Sequence, residues 1–193
     1  MKGYYKLRST IIEILNTKLS KDLHYHGVQH TLDALNTCKV YLSHSQINSH
    51  NAKLLRIAVL LHDIGFTETT HEHEQKGAEI AKNLLQNYNF PREDIDIIIG
   101  LILSTKVPQK PTTLLEKIIC DVDLDYLGSS DFYEISDQLF RELKALSVIK
   151  NIDEWNKKQI KFLEAHVYHT DFAIKNRQPQ KELRIKELKK LVS

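Results

Sequence analysis

The sequence predicts an all-α protein, a single-domain helical bundle of about eight to nine helices. Apolar residues recur at helical spacing through most of the chain, and no convincing alternation of strand type occurs. The six glycines and four prolines fall between these helical patterns. A chain of 193 residues can bury one proper core. We therefore expect one domain over 1–193, with its core at about 20–130 and the helices of 131–193 packed on that core.

The first five helices follow from their apolar stripes and end signals. In the third helix, Leu55, Ala58, Val59 and His62 share one face at spacings of three and four residues, and Gly65 is expected to end the helix. The predicted ranges are approximately Lys6–Leu19, Val28–His44, Asn51–Asp63, Glu72–Tyr88 and Pro91–Ser104.

The later helices are predicted from caps as much as from stripes. Thr113 and Glu116 form a capping box at the start of the sixth helix. The seventh is expected over Asp131–Leu146. Asp153 is expected to cap an eighth that carries Trp155, Phe162, Leu163, His166 and Ala173, and Pro179 to open a short basic ninth.

Composition excludes several classes of protein. Apolar content of 41% and charged content of 27% are typical of a soluble globular protein, and the formal charge of +2 gives no nucleic-acid signal. No apolar run approaches the roughly 20 residues of a membrane span, and the N-terminus lacks the apolar region of a signal peptide. Cys38 and Cys120 are isolated, as expected for buried free thiols in a reducing compartment. These observations favour a cytoplasmic location.

Three groups of polar residues on or beside helices predict a metal site. His62 closes an apolar face and is followed at once by Asp63, which is costly in a core unless both have partners. His30 from the second helix and Asp123 from the sixth complete a set of two histidines and two carboxylates. Such a set suits one divalent ion, Mn²⁺, Fe²⁺, Co²⁺, Ni²⁺, Mg²⁺ or Zn²⁺. Water on such an ion is acidified, so that hydroxide becomes available as the nucleophile.

The order of His30, His62-Asp63 and Asp123 resembles the HD-domain superfamily of metal-dependent phosphohydrolases, over about 25–127. The segment from Tyr25 to His30 is similar to the YHxxxH segment of cyclic-nucleotide phosphodiesterases in the same superfamily. The resemblance implies that His30 is a metal ligand and His26 the general acid that protonates the leaving oxygen. Histidine can do this near neutral pH. The alternative for His26 is a hydrogen-bonded loop residue.

The resemblance also assigns the two aspartates of the sixth helix. It favours Asp123 as the metal ligand. Asp121 is then expected to hydrogen-bond a ligand histidine and orient it. Alone, both aspartates would be polar residues leaving a helix.

One departure from the superfamily pattern bears on the number of metals. Two-metal members use further histidines after the HD pair. His73 resembles one of these positions, but the next is expected near 103–106, where the sequence is Leu-Ser-Thr-Lys. We therefore predict a single metal, with Lys106 and His73 contacting the phosphate, since an ammonium can neutralise phosphate charge. A solvated loop lysine is the alternative for Lys106.

The predicted function is a metal-dependent phosphohydrolase, a monoesterase or diesterase, acting on a nucleotide or another small phosphate ester. His26, Asp63 and Lys106 are the predicted catalytic residues, and His26, His73 and Lys106 the substrate contacts. No membrane partner is expected, and a homodimer is allowed.

Two other classes stay open: a regulatory HD module that binds metal and nucleotide without turnover, and a di-iron oxygenase on the same scaffold. His166, His169 and Arg177 receive no role and are expected on a solvated face, with a place near the substrate pocket as the alternative.

Overall fold

The computed structural model describes residues 2–192, with side chains from Tyr4 to Val192, so Met1 and Ser193 lie outside it. Within this range it contains ten α-helices and two short 3₁₀ helices and no strand, which confirms the predicted all-α class. The α-helices are α1 (Lys2–Lys18), α2 (Val28–Ser43), α3 (Ser49–Leu61), α4 (His73–Asn87), α5 (Arg92–Ser104), α6 (Leu114–Asp123), α7 (Phe132–Ala145), α8 (Ile152–Ala165), α9 (Asp171–Asn176) and α10 (Gln178–Leu191). The 3₁₀ helices are Ile64–Thr67 and Asp125–Gly128.

Helix α3 lies at the centre of the bundle. All residues from Ile57 to Leu61 are buried, and a helix that is apolar around its whole circumference belongs inside the molecule. Helices α2, α5 and α6 pack against it. The side chain of Asn48 caps its N-terminus by accepting from the Asn51 amide at 2.8 Å. Because the C-terminal end of α3 is buried, His62 and Asp63, which follow it, also lie in the interior.

The predicted end of the third helix is two residues too late. Helix α3 ends at Leu61, His62 is its C-terminal cap, and Asp63 precedes the 3₁₀ helix Ile64–Thr67. Gly65 does not simply stop a helix: a Cβ there would lie 1.9 Å from the His73 carbonyl oxygen. The chain forms a 3₁₀ helix after α3, and the backbone of α4 packs directly on this turn.

The predicted eighth helix is wrong beyond residue 165. Asn151, not Asp153, caps α8 by accepting from the Glu154 amide at 3.0 Å. The chain becomes extended at His166 and begins a separate helix, α9, which the Thr170 side chain caps. Tertiary bonds to this segment, described below, outweigh its helical pattern.

The C-terminal helices pack on the earlier ones. Arg177 pairs with Asp125 at 2.8 Å, and the Tyr168 hydroxyl donates to the Leu124 carbonyl at 3.3 Å. Cys38 and Cys120 are buried and free, and burial raises the pKa of each thiol to about 12. Over the described residues, no helix combines the length and the apolar character that crossing a membrane requires.

Candidate metal centre

Three helix ends meet at one point in the interior. His30 lies in the first turn of α2, His62 caps α3, and Asp123 is the last residue of α6. The Nε2 atoms of the two histidines are 3.1 Å apart. Asp123 Oδ1 lies 3.3 Å from His62 Nε2 and 3.5 Å from His30 Nε2. Neighbouring ligands about 2.1 Å from one ion are about 3.0–3.4 Å from each other, so these separations suit a shared cation.

Asp63 adds a fourth group to these three. Its Oδ2 lies 3.3 Å from the Nε2 atom of His30 and from that of His62. This oxygen is buried and accepts no hydrogen bond from the described residues. A buried carboxylate oxygen without a partner is costly, and a cation would satisfy it. Donor atoms of His30, His62 and Asp123 lie close enough together to share a divalent ion that prefers nitrogen and oxygen donors, and Asp63 lies against both histidines. These four residues are called the metal cluster below.

The protonation of His62 is set by its backbone partner and its acidic neighbours. Its Nδ1 donates to the Val59 carbonyl at 2.8 Å, which leaves Nε2 to face the metal cluster. Burial lowers the pKa of His62, but the charges of Asp63 and Asp123 outweigh it and raise the pKa to about 9. Metal binding must displace this proton, because only the neutral imidazole is a ligand.

The carboxylate of Asp123 is held ionised by the same contacts. Burial raises its pKa, but hydrogen bonds from His30 and His62 lower it far below the usual range. The metal cluster thus keeps its acidic ligands charged, as metal binding requires.

His26 lies beside the metal cluster and is held by a buried acid. Its Nδ1 hydrogen-bonds the side chain of Glu142, and Glu142 Oε2 accepts from the amides of Tyr25 and His26 at 2.8 and 2.9 Å. Burial lowers the pKa of His26, but the bond to Glu142 and the charge of Asp63 together raise it. His26 is therefore a hydrogen-bonded histidine, which was the alternative prediction for it. The same hydrogen bond favours its protonated form, which can donate a proton.

His73 and Lys106, the two predicted phosphate contacts, occupy different places. His73 Nε2 lies 3.6 Å from Asp63 Oδ1, at the edge of the metal cluster, and burial lowers its pKa. The ammonium of Lys106 pairs with Glu72 at 2.9 Å, and both side chains are about half exposed. The structure does not bring Lys106 to the metal cluster, because the end of α5 directs it to the surface.

Asp121 does not orient a ligand histidine, which corrects the sequence prediction. It accepts from the amides of His169 and Thr170 at 2.9 and 2.8 Å and from the Thr170 hydroxyl at 2.6 Å. Burial raises its pKa to about 6 against these hydrogen bonds. Its role is to join α6 to the segment before α9.

The side chains of His166 and Arg177 make tertiary contacts, so for these two residues the expectation of a solvated face is wrong. Arg177 binds Asp125 as described, and the His169 amide binds Asp121. Lys181 is buried and donates to the carbonyl and the Nδ1 of His166. Burial and the charge of Lys181 lower the pKa of His166 to about 3.

A cavity of about 300 Å³ opens beside the metal cluster. His26, Asp63, His73 and Asp123 line one side of it, and side chains of α7 and α8 line the other. Sequence reasoning missed this second wall and also missed Glu142. A signal existed for Glu142, an acid on the apolar stripe of α7, but its partner lies 116 residues away.

The comparisons with known proteins agree with this geometry. The model of the HD domain family matches residues 27–125, about half of the chain and the part that contains the metal cluster. The chain therefore belongs to the HD domain family. Its fold is that of HD superfamily hydrolases, and its histidine and aspartate cluster is a candidate metal site of that family.

Two relatives extend the comparison. An uncharacterized protein of Clostridium beijerinckii is 31% identical over 88 residues, which cover 43% of this chain and 55% of that protein. The match thus spans about half the length of this curated relative. The crystal structure of a predicted HD superfamily hydrolase from an uncultured Thermotogales bacterium superposes with a TM-score of 0.62. The two chains are 21% identical, with 95% of this chain and 90% of the other covered, so this likeness shows the fold.

Proposed function

We propose that this protein is a metal-dependent phosphohydrolase that acts on a nucleotide or another small phosphate ester. The observation that carries the proposal is the buried Asp63 oxygen that accepts no hydrogen bond from the described residues and lies against the Nε2 atoms of His30 and His62. A proton donor, His26, and a cavity lie next to it. A cation site, an acid and room for a ligand are the parts that such a hydrolysis needs.

Each residue has a distinct part in the proposed reaction. The metal cluster holds one divalent ion, which when bound supplies Lewis acidity and a nucleophilic water near neutral pH. Glu142 orients His26 and favours its protonated form. His26 then donates its proton to the departing alkoxide oxygen. The position of His73 beside Asp63 supports a contact with the phosphate, whereas the position of Lys106 lends no support to that role.

The proposal is tested by a screen of metal-loaded protein against model phosphate monoesters, model diesters and a panel of nucleotides. We expect metal-dependent hydrolysis of one ester class, with one metal ion per chain by elemental analysis. Monoesters would release inorganic phosphate, and diesters an alcohol and a phosphate monoester. Two metals per chain would overturn the single-metal form. Binding of metal and nucleotide without turnover would show a regulatory module, and two irons with oxygen consumption would show an oxygenase.

The pairing of His26 with Glu142 predicts a pH effect. The pKa of His26 is raised, so its acid form is present below that pKa and is lost as the pH rises through it. In Glu142→Gln the negative charge is removed and the pKa of His26 falls. We expect the alkaline limb of kcat to move to lower pH by about one unit.

The control for this prediction is Asp137→Asn, an exposed acid on the same helix that pairs with Arg141 at the surface. Its alkaline limb should coincide with that of the unmodified protein. An unshifted limb in Glu142→Gln, with the variant folded, would contradict the assignment of His26 as the acid.

A further inference from the structure

We infer that the substrate carries a flat apolar body, an aromatic alcohol esterified to a single phosphate, and that α7 and α8 select it. The inference rests on the proposed hydrolysis of phosphate esters and narrows its substrate class. It is carried by the wall of the cavity that faces the metal cluster.

Two helices present large apolar side chains to this cavity, with the polar Lys158 and Gln159 between those of α8. Trp155, Lys158, Gln159 and Phe162, called the α8 stripe, are spaced at i, i+3, i+4 and i+7 and all line it. Leu139 and Leu143 line it from α7, one turn apart. Helix faces of this kind normally pack against a core. Here they border a cavity large enough for a small ligand, so the ligand supplies the missing apolar surface.

The aromatic ring of Trp155 is fixed in place by a hydrogen bond to Ser136, which does not line the cavity. Its Nε1 donates to the Ser136 hydroxyl at 3.2 Å, and that hydroxyl donates to Gln159 Oε1 at 2.7 Å. The polar atom of the indole is thereby satisfied by the protein itself. A ligand in the cavity meets the apolar part of a rigid ring, which favours a flat aromatic partner.

One ammonium accompanies this apolar wall. Lys158 is the only lysine or arginine among the described residues that line the cavity. Lys106, in contrast, pairs with Glu72 outside it. One ammonium among the lining side chains suits one phosphate group, whereas a chain of phosphates would find no further lysine or arginine on this wall.

These residues lie outside the part of the chain that defines its family. The HD domain match ends at residue 125, whereas the apolar wall comes from 139–162. The C-terminal helices of this chain therefore select the organic part of the substrate, and the metal cluster has no part in that selection.

The test compares two phosphonates on metal-loaded protein, benzylphosphonate and 2-hydroxyethylphosphonate. Their C–P bonds resist hydrolysis, so affinity is measured without turnover. Trp155 is the chain's one tryptophan, and its fluorescence reports directly on occupancy of the cavity. We expect the benzyl compound to bind at least about tenfold tighter and to perturb this fluorescence. Calorimetry should give it the more negative heat-capacity change.

Variants separate the two parts of the site. Phe162→Ser and Leu143→Ser should each erase most of the preference for the benzyl compound, because each should weaken that compound far more than the hydroxyethyl compound. Lys158→Gln should weaken both compounds by the same factor. Ile152→Ser, an exposed apolar residue of the same helix that does not line the cavity, should change neither affinity.

The outcomes distinguish the inference from the function on which it rests. Equal affinities for the two phosphonates, or a preference that survives both apolar variants, would overturn the inference. Equally fast hydrolysis of phosphate esters of many different alcohols would also overturn the inference, but the proposed function would still hold. Tight benzylphosphonate binding without hydrolysis of any ester would support the cavity assignment and sink the proposed function.

Discussion

Replacement of Asp63 by alanine is expected to abolish metal binding and hydrolysis together. Asp63 Oδ2 is buried against the Nε2 atoms of two histidines and has no other partner among the described residues. Loss of an outer partner of a metal ligand already costs about 10- to 100-fold in metal affinity or activity. Loss of a ligand itself should cost at least about 100-fold in both. Elemental analysis after dialysis and kcat/KM on the best substrate of the screen measure the two effects.

Thermal denaturation adds a readout that needs no substrate. An ion that binds the folded protein at about 100 times its Kd stabilises it by about 2.7 kcal/mol. We expect this gain in the unmodified protein and little of it in Asp63→Ala. The matched control is Asp96→Ala, an exposed aspartate of α5 whose contact is a surface pair with Arg92 at 3.8 Å. Retention of metal or of full activity in Asp63→Ala would refute the proposed site.

Gly65→Ala is expected to destabilise the fold severely. The added methyl would lie 1.9 Å from the His73 carbonyl oxygen and 2.8 Å from the Gly77 amide nitrogen. These are backbone atoms, so α4 must move away from the turn after Asp63. Overpacking of this kind costs about 3 kcal/mol or more. The corresponding fall in Tm for a chain of this size is roughly 6–12 °C. Because His73 is the first residue of α4, it would also move away from Asp63.

Gly100→Ala is the control for this substitution. A Cβ at Gly100, inside α5, meets no atom within 4 Å. Alanine has the higher helix propensity, so this variant should be more stable by about 0.5–1 kcal/mol. Opposite signs for the two glycines in denaturant unfolding would support the close approach of α4. A Gly65→Ala variant as stable as the unmodified protein would contradict it.

Local signals predicted much of the fold. The capping box of Thr113 and Glu116 begins α6 as expected, because both partners lie within one turn of the chain. The stripe that ends at His62 correctly predicted a buried face of α3. The errors lie at the end of α3 and between α8 and α9. There, packing of α4 and hydrogen bonds to Asp121 override the local pattern.

The candidate site likewise contains residues that the sequence could predict and residues that it could not. Four metal ligands were predicted because their types and order carry the pattern of a family. The structure brings donor atoms of His30, His62 and Asp123 together and sets Asp63 against both histidines. Glu142 and the α8 stripe were not predicted, since neither has a local signal that connects it to His26. Lys106 shows the converse: its chemistry suits a phosphate, but in the fold it pairs with Glu72 instead.

The sequence by itself determined the helical class of this protein and the chemistry of its metal cluster. Both depend on residue type and short-range spacing, which the chain carries before it folds. Only the tertiary structure decided which acid holds His26, which lysine lines the cavity, and which apolar faces border it. Those facts depend on contacts between helices that are far apart in sequence and meet only in the folded core. The short-range spacing of residues cannot predict such contacts.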